Sequence, residues 1–360
     1  MPQYAKYATT VVGAHSVPRW YEALEKLLDA GQLSRADVAD AQYRATQAAL
    51  MDQETAGIDV VTGGEMHRRL NNRHAPPNAM LNFFWQKIPG FAKDPKMEYG
   101  IVTRPRKITA KDDNVFHPAA VCTGKITADA DLGLVDEFNM VSQYAHKPVK
   151  ITMTGPHILA KLAFDECYND LAKMMSDLGK LMNQNFKKLA AAGCKNIQID
   201  EPLFIITDDH EVQAAVDAIN LSTEGLPKDV HISMHICQGN YAVGAHYDGQ
   251  LGHRYFDSGR YPGKLICGIN CDSFLVEGDM AGHYYGHLGN RQLGVGAADV
   301  QDVNIESGET IVERVKKYAW LAPEQTIISS SCGMNHLPRH IAFGKLKAMG
   351  EAKKILRDSA

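Results

Sequence analysis

The chain has 360 residues, 22% charged and 45% hydrophobic, with a formal net charge of −4. This is an ordinary globular composition with enough length to bury a large core. Acids and bases are intermixed, so there is no electrostatic footprint for nucleic acid or an anionic membrane. The opening MPQYAKYATTVVGAHS has no basic segment followed by an apolar run, and no run reaches the length of a membrane span. Seven scattered cysteines fit reduced thiols, available to a metal, better than a disulfide framework. A cytoplasmic location is therefore expected.

TTVVGA (9–14) reads as a first strand. PRWYEALEKLLDAGQ and SRADVADAQYRATQAALMDQETAG come next with helical periodicity, the second with Ser34 as N-cap and Gly57 as stop. IDVVTGGE (58–65) reads as a second strand. From 66 to 147 the rhythm breaks into Pro-, Asn- and aromatic-rich sequence, with IVTRPRKITA and AAVCTGKITAD resembling a β-hairpin. We read this stretch as an insertion within a single 1–360 domain. Alternation then resumes with VKITMTGP, a long helix closed by Gly193, KNIQIDEP, DVHISMHIC, KLICGIN, QLGVGAAD and TIISSSCG. Strand candidates near 10, 60, 151, 198, 232, 267, 294 and 328 predict a parallel α/β architecture, a (β/α)8 TIM barrel with an insertion after strand 2.

Such a barrel builds its active site at the C-terminal ends of its strands. On this topology Gly13 and His15 follow strand one and Glu65 strand two. Thr154 and Gly155 follow strand three, and Asp200 and Glu201 strand four. His235 and Cys237 follow strand five, Cys271, Asp272 and Glu277 strand six, Asp299 strand seven and Cys332 strand eight. In an extended segment residues i and i+2 share a face, so His235 and Cys237 can face one metal. Zinc accepts sulfur, nitrogen and carboxylate ligands tetrahedrally, and Cys332 and Glu277 are the best-placed completions. His231 and Cys271 are rivals. The plain alternative is a chance His-x-Cys pair whose cysteine is a small hydrophobe.

TTVVGAHSVP, GIDVVTGGE, MTGP, IQIDEP, HICQGNY, FLVEGD and SSCGM, in this order and over most of the chain, resemble the catalytic barrel of cobalamin-independent methionine synthases and their single-barrel homologues. The resemblance implies that His235, Cys237, Glu277 and Cys332 bind Zn2+. It implies that Glu65 holds the amino group of an amino-acid thiol and that Asp200 lines the substrate pocket. It further implies zinc-dependent alkylation, most simply methylation, of a small thiol such as homocysteine. The thiol gives up its proton at the metal and attacks an electrophilic carbon.

Three departures qualify that expectation. The sequence has no counterpart of the large N-terminal half of the folate-dependent enzyme. Leu162 stands where that enzyme has a tryptophan against folate, and GAHSVP replaces the usual GSxP turn, with Ala14 at the serine position. The first two weigh against polyglutamyl folate and leave a donor such as a methylated corrinoid protein. The third touches the substrate's carboxylate contacts. His15, Glu201 and Asn240 are further substrate-binding candidates. Arg68 and Arg69, with Arg73, suit an anion clamp such as a sulfonate would need. That keeps epoxyalkane:coenzyme M transferase chemistry as an alternative, with His283 or His287 as a general acid toward an epoxide oxygen. A non-catalytic barrel that binds zinc or a corrinoid partner is the alternative of another class. A homo-oligomer is compatible with all of these readings.

Overall fold

Short, β-branched, buried segments pair side by side in parallel in the main sheet of this computed structural model, which describes residues 4–70, 79–96, 100–106, 117–204, 207–237 and 263–359. The chain begins with β1 (Ala8–Thr10), α1 (Arg19–Asp29), α2 (Arg35–Thr55), α3 (His67–Leu70) and α4 (Ala79–Trp85). It continues with β2 (Thr103–Arg106), β3 (His117–Cys122), α5 (Leu134–Ser142), β4 (Lys150–Thr154), α6 (Pro156–Lys161) and β5 (Phe164–Asp165). Next come α7 (Leu171–Ala191), β6 (Asn196–Asp200), α8 (Asp209–Thr223), β7 (His231–Ile236), α9 (Gly263–Ile266) and β8 (Ser273–Glu277). The chain finishes with β9 (Gln292–Ala298), α10 (Gly308–Lys316), β10 (Thr326–Ser330) and α11 (Arg339–Asp358).

Seven strands form one sheet in the order β1-β10-β9-β8-β7-β6-β4. Residues 60–61 join its two edges through parallel bridges from Thr10 to Val60 and from Val61 to Val149. The Val61 N–H donates to Pro148 O at 2.9 Å and the Lys150 N–H to Val61 O at 2.8 Å. Eight parallel segments thus complete the ring expected of a (β/α)8 barrel. One strand lies elsewhere than predicted. KLICGIN is not the sixth strand: Gly263–Ile266 is a helical turn and Ser273–Glu277 is the strand. A short apolar run does not reveal its period, and SFLVE carries the pairing to both neighbours.

Capping chemistry sets the long helices. Ser34 Oγ accepts from the Asp37 N–H while the Asp37 carboxylate accepts from the Ser34 N–H, and Gly57 at φ 84° ends the path of α2. Between α4 and α7 the chain forms a small sheet in which β3 pairs antiparallel with β2 and parallel with β5. The predicted hairpin is present in its described residues. This segment shares one hydrophobic cluster with the barrel, in which Phe84, Trp85 and Cys122 join Ile151, Ile199 and Phe274. Trp85 is buried and donates from Nε1 to Leu159 O at 3.1 Å. On the far side, the loop after β9 is tied to α11. Glu306 accepts from Lys345 Nζ, Arg314 Nη1 and the Asp299 N–H, each at 2.8 Å. Among the described residues no helix is long and apolar enough to cross a membrane.

This packing leads to two expected outcomes. Trp85→Ala removes a buried ring and its hydrogen bond, and should cost about 3–5 kcal/mol in urea unfolding; a change within error would show that α4 is not anchored to the barrel. Burial pushes the Glu306 carboxyl up, but Lys345 and the Asp299 N–H outweigh it and hold it below the ordinary range. A depressed carboxylate stabilises the fold above its unfolded pKa of about 4.3 and loses that contribution as pH falls below it. The gap in urea midpoint between the parent and Glu306→Gln should therefore shrink as pH drops from about 5 toward 3, whereas a pH-independent gap would rule out the ion pair as its source.

Candidate active site

His235 and Cys237 stand at the end of β7. Their neighbour β8 runs in register, Leu275 opposite His235 and Val276 opposite Ile236. Glu277 comes one step on, in the same pleat phase as Leu275, so it shares the face of His235 and Cys237. Cys332 arrives from β10, whose pairing with β9 shifts between Ser329 and Ser330. Such an irregularity bends a strand end and re-aims the residues beyond it. Gly296 of β9 lies in this corner; a Cβ there would come within 2.7 Å of Ser331 Cα and 3.1 Å of Glu277 Cα. The glycine therefore permits the close approach.

His235, Cys237 and Cys332 each offer a ligand atom, all within 4.8 Å of one another. The two Sγ atoms are 3.6 Å apart and the cysteines are not joined by a disulfide. Two sulfurs bound tetrahedrally to one zinc at about 2.3 Å would stand about 3.8 Å apart, so the pair fits that ion. His235 Nδ1 is 3.0 Å from Leu275 O, which orients the ring and leaves Nε2, which has no nitrogen or oxygen hydrogen-bond partner among the described residues, on the side of the thiols. Cys237 beside it and burial drive the Cys332 thiol up, with Glu277 adding to the effect. A buried set of two thiols, an imidazole and a carboxylate gains most from a divalent cation, so the donor set also matches zinc in chemistry.

Glu65 sits in the turn after residues 60–61, with Gly64 at φ 71° and Glu65 itself at φ 59°. A non-glycine residue in this region is held there by its surroundings. Its Oε1 accepts from Thr152 Oγ1 and is 3.2 Å from Arg68 Nη1. Gly13 makes room, because a methyl group there would overlap Glu65 Oε1. Arg68 is buried, and its Nη2 donates to Glu137 at 3.1 and 3.3 Å and to Thr152 O at 2.7 Å. The guanidinium of Arg68 is thus committed to two protein carboxylates and a carbonyl, and does not present an open anion clamp. His67 Nε2 is 3.3 Å from the same Glu137.

Asp200 ends β6 and lies within electrostatic reach of His235 and Glu65, linking the two groups. Gln198 Nε2 donates to Asp200 Oδ1 at 2.7 Å, and burial pushes the Asp200 carboxyl up to about 6. Glu201 turns away to the start of α6, where it accepts from the His157 N–H at 2.8 Å and the Ile158 N–H at 3.2 Å. Burial pushes it up to about 8 against those two donors. Gly155 is required beside it, since a Cβ would overlap its carboxylate.

The other expected site residues lie in varied places. His15 is buried with Nε2 3.2 Å from Asp52 Oδ2, so its ring is engaged by the protein. His283 and His287 are exposed, on and just after the 3-10 helix Gly278–Tyr284. Cys271 and Asp272 precede β8 instead of following it, and Asp272 Oδ2 accepts from the Ile232 N–H at 2.7 Å, at the opposite end of the barrel. His231, which starts β7, lies there too and stacks on Tyr4. Leu162 is buried as the C-cap of α6. Arg69 belongs to α3. Asn240 and Arg73 lie outside the described residues.

Sequence reasoning passed over Thr152 and Glu137. Thr152 had a signal: Lys150, Thr152 and Thr154 alternate along KITMT, as Asn196, Gln198 and Asp200 do along NIQID, and period two marks one strand face. Glu137 had none, because its partner lies 69 residues away on another element.

Residues 7–246 match the family described as the catalytic domain of cobalamin-independent synthase. A methionine synthase of Sulfurisphaera tokodaii is 31% identical over 357 residues, covering 97% of this chain and 92% of that relative. One of Pyrococcus horikoshii is 31% identical over 356 residues with the same coverage. The fold is shared with a B12-independent methionine synthase from Shewanella sp. W3-18-1 in complex with selenomethionine, at TM-score 0.77, 21% identity and 99% of both chains. A methyltransferase from Methanosarcina mazei resembles it less closely, at TM-score 0.55 and 13% identity over 98% of this chain and 95% of that one. With a family match over most of its length and relatives aligned nearly end to end, this chain belongs to the cobalamin-independent synthases, as a form of their catalytic domain.

Proposed function

We propose that this protein transfers a methyl group to the sulfur of homocysteine or a close amino-acid thiol. His235, Cys237, Glu277 and Cys332 would hold the Zn2+ ion it requires. The observation that carries this reading is the His235, Cys237 and Cys332 group, its ligand atoms within 4.8 Å, on a barrel rim shared with Glu65 and Asp200. Zinc bound there would supply a cation that favours the deprotonated form of a nearby thiol.

The chain's own residues supply the rest. Glu65 takes the substrate's ammonium group, and its oxygen is aimed by Thr152 and Arg68. Asp200, pushed up to about 6, takes up or releases a proton between the two ends of the pocket. Leu275 O keeps the His235 ring in one orientation. The reaction replaces the S–H bond with S–CH3 and releases the proton and the demethylated donor. A methylated corrinoid suits the donor role better than polyglutamyl folate, since Leu162 is buried in the core and offers no aromatic face. Coenzyme M as acceptor loses Arg68 as a sulfonate partner, because Arg68 is engaged by Glu65 and Glu137. The reduced thiols suit the cytoplasm.

Metal analysis and thiol competition test this reading together. The parent protein should contain about one zinc per chain and Cys332→Ala far less. With methylcobalamin as donor, the parent should methylate homocysteine in preference to coenzyme M. A parent that neither contains nor takes up zinc would sink the metal role. Equal or preferred methylation of coenzyme M would sink the amino-acid thiol.

A further inference from the structure

Arg68 and Glu137 form a buried ion pair that meets the site at Glu65. Arg68 reaches Glu65 with Nη1 at 3.2 Å and Glu137 with Nη2 at 3.1 Å. Its guanidinium lies over the rings of Phe84 and Phe83, 5.2 and 5.7 Å from their centroids, and Nη2 also donates to Thr152 O. Both members are almost fully shielded from water, whereas the Glu65 side chain keeps 17% of its surface exposed. The three charges thus form a row that begins in the core and ends at the pocket.

We propose that Glu137 and Arg68 are positioning residues that set the orientation and charge of Glu65, and through it the preference for a thiol bearing an ammonium group. This rests on the reading of the site as one for an amino-acid thiol. Arg68 is shared between two carboxylates, so it does not neutralise Glu65 alone, and the remaining negative charge appears where Glu65 is exposed. Glu137 is an anion in this row: burial alone would raise its pKa, but Arg68 and His67 hold the carboxyl down to about 2. If Glu137 loses its charge, Glu65 becomes the carboxylate within ion-pair distance of Arg68 among the described residues, with Asp200 further off. Glu65 is then neutralised and drawn inward, and an incoming ammonium gains little from it. A planar fork packed over aromatic rings also fixes the angle at which Glu65 stands, which a lysine's point charge cannot do.

The test uses zinc-loaded protein and two probes that differ in the amino group alone, homocysteine and 4-mercaptobutyrate, with dissociation constants read by calorimetry. The parent should bind homocysteine about tenfold more tightly, equivalent to about 1.4 kcal/mol. Glu137→Gln, which is nearly isosteric, should bring the ratio close to one, by weakening homocysteine while the 4-mercaptobutyrate constant and zinc content stay as in the parent. Arg68→Lys should do the same while keeping the charge. A purely structural role would weaken both thiols together, and that result overturns the proposal, as does a ratio unchanged in both variants. A parent that binds both thiols equally removes Glu65 as the ammonium acceptor and the proposal with it, though the thiol site stands. A parent that binds neither thiol removes the underlying reading as well.

Discussion

Two thiols and an imidazole converge at the end of one parallel sheet with the Glu277 carboxylate in electrostatic reach, and the rest of the site is arranged around that concentration of potential negative charge. The convergence is a consequence of strand geometry. In a parallel pair, residues at matched positions point the same way, so His235, Cys237 and Glu277 share a face as soon as β7 and β8 pair in register. Cys332 comes from two strands further round and needs the shift in pairing between Ser329 and Ser330, together with the missing side chain at Gly296. The chemistry is as demanding as the geometry. Buried thiols this close oppose each other's ionisation, and a divalent cation relieves that opposition directly.

A second charge problem is solved at the other side of the pocket. Glu65, Glu137 and Asp200 would repel one another in a low-dielectric barrel mouth, and Arg68 is the cation that makes the group tolerable. That same commitment keeps Arg68 from serving as an open clamp for an anionic substrate. The barrel rim therefore offers a carboxylate on one side and a His-Cys-Cys group able to hold a metal ion on the other, with Asp200 in electrostatic reach of both. This is the polarity an amino-acid thiol needs.

Much of the architecture was legible because period and punctuation agreed. KITMT, NIQID and HISMHI are β-branched, inward-polar strands, and Ser34 with Gly57 marked both ends of α2. The sixth strand was misplaced because KLICGIN and SFLVE are both short apolar runs, and only pairing with β7 and β9 distinguishes them. The grouping of His235 with Cys237 and Cys332 could be anticipated from strand order, since each lies at or just past a strand end. The true state of Arg68 could not. Its neighbours in sequence suggested an anion clamp, whereas its partner Glu137 comes from α5, on a part of the chain with no regular rhythm. Side chains whose role depends on distant partners carry no local mark, and His15, engaged by Asp52 on α2, is another case.

The central claim is that the rim of this barrel holds zinc through two sulfurs and two lighter atoms, and zinc K-edge X-ray absorption on the purified protein tests it most directly. Two sulfur scatterers at about 2.3 Å with two nitrogen or oxygen scatterers at about 2.0–2.2 Å are expected. Zinc surrounded by nitrogen and oxygen alone, or by four sulfurs, would contradict it.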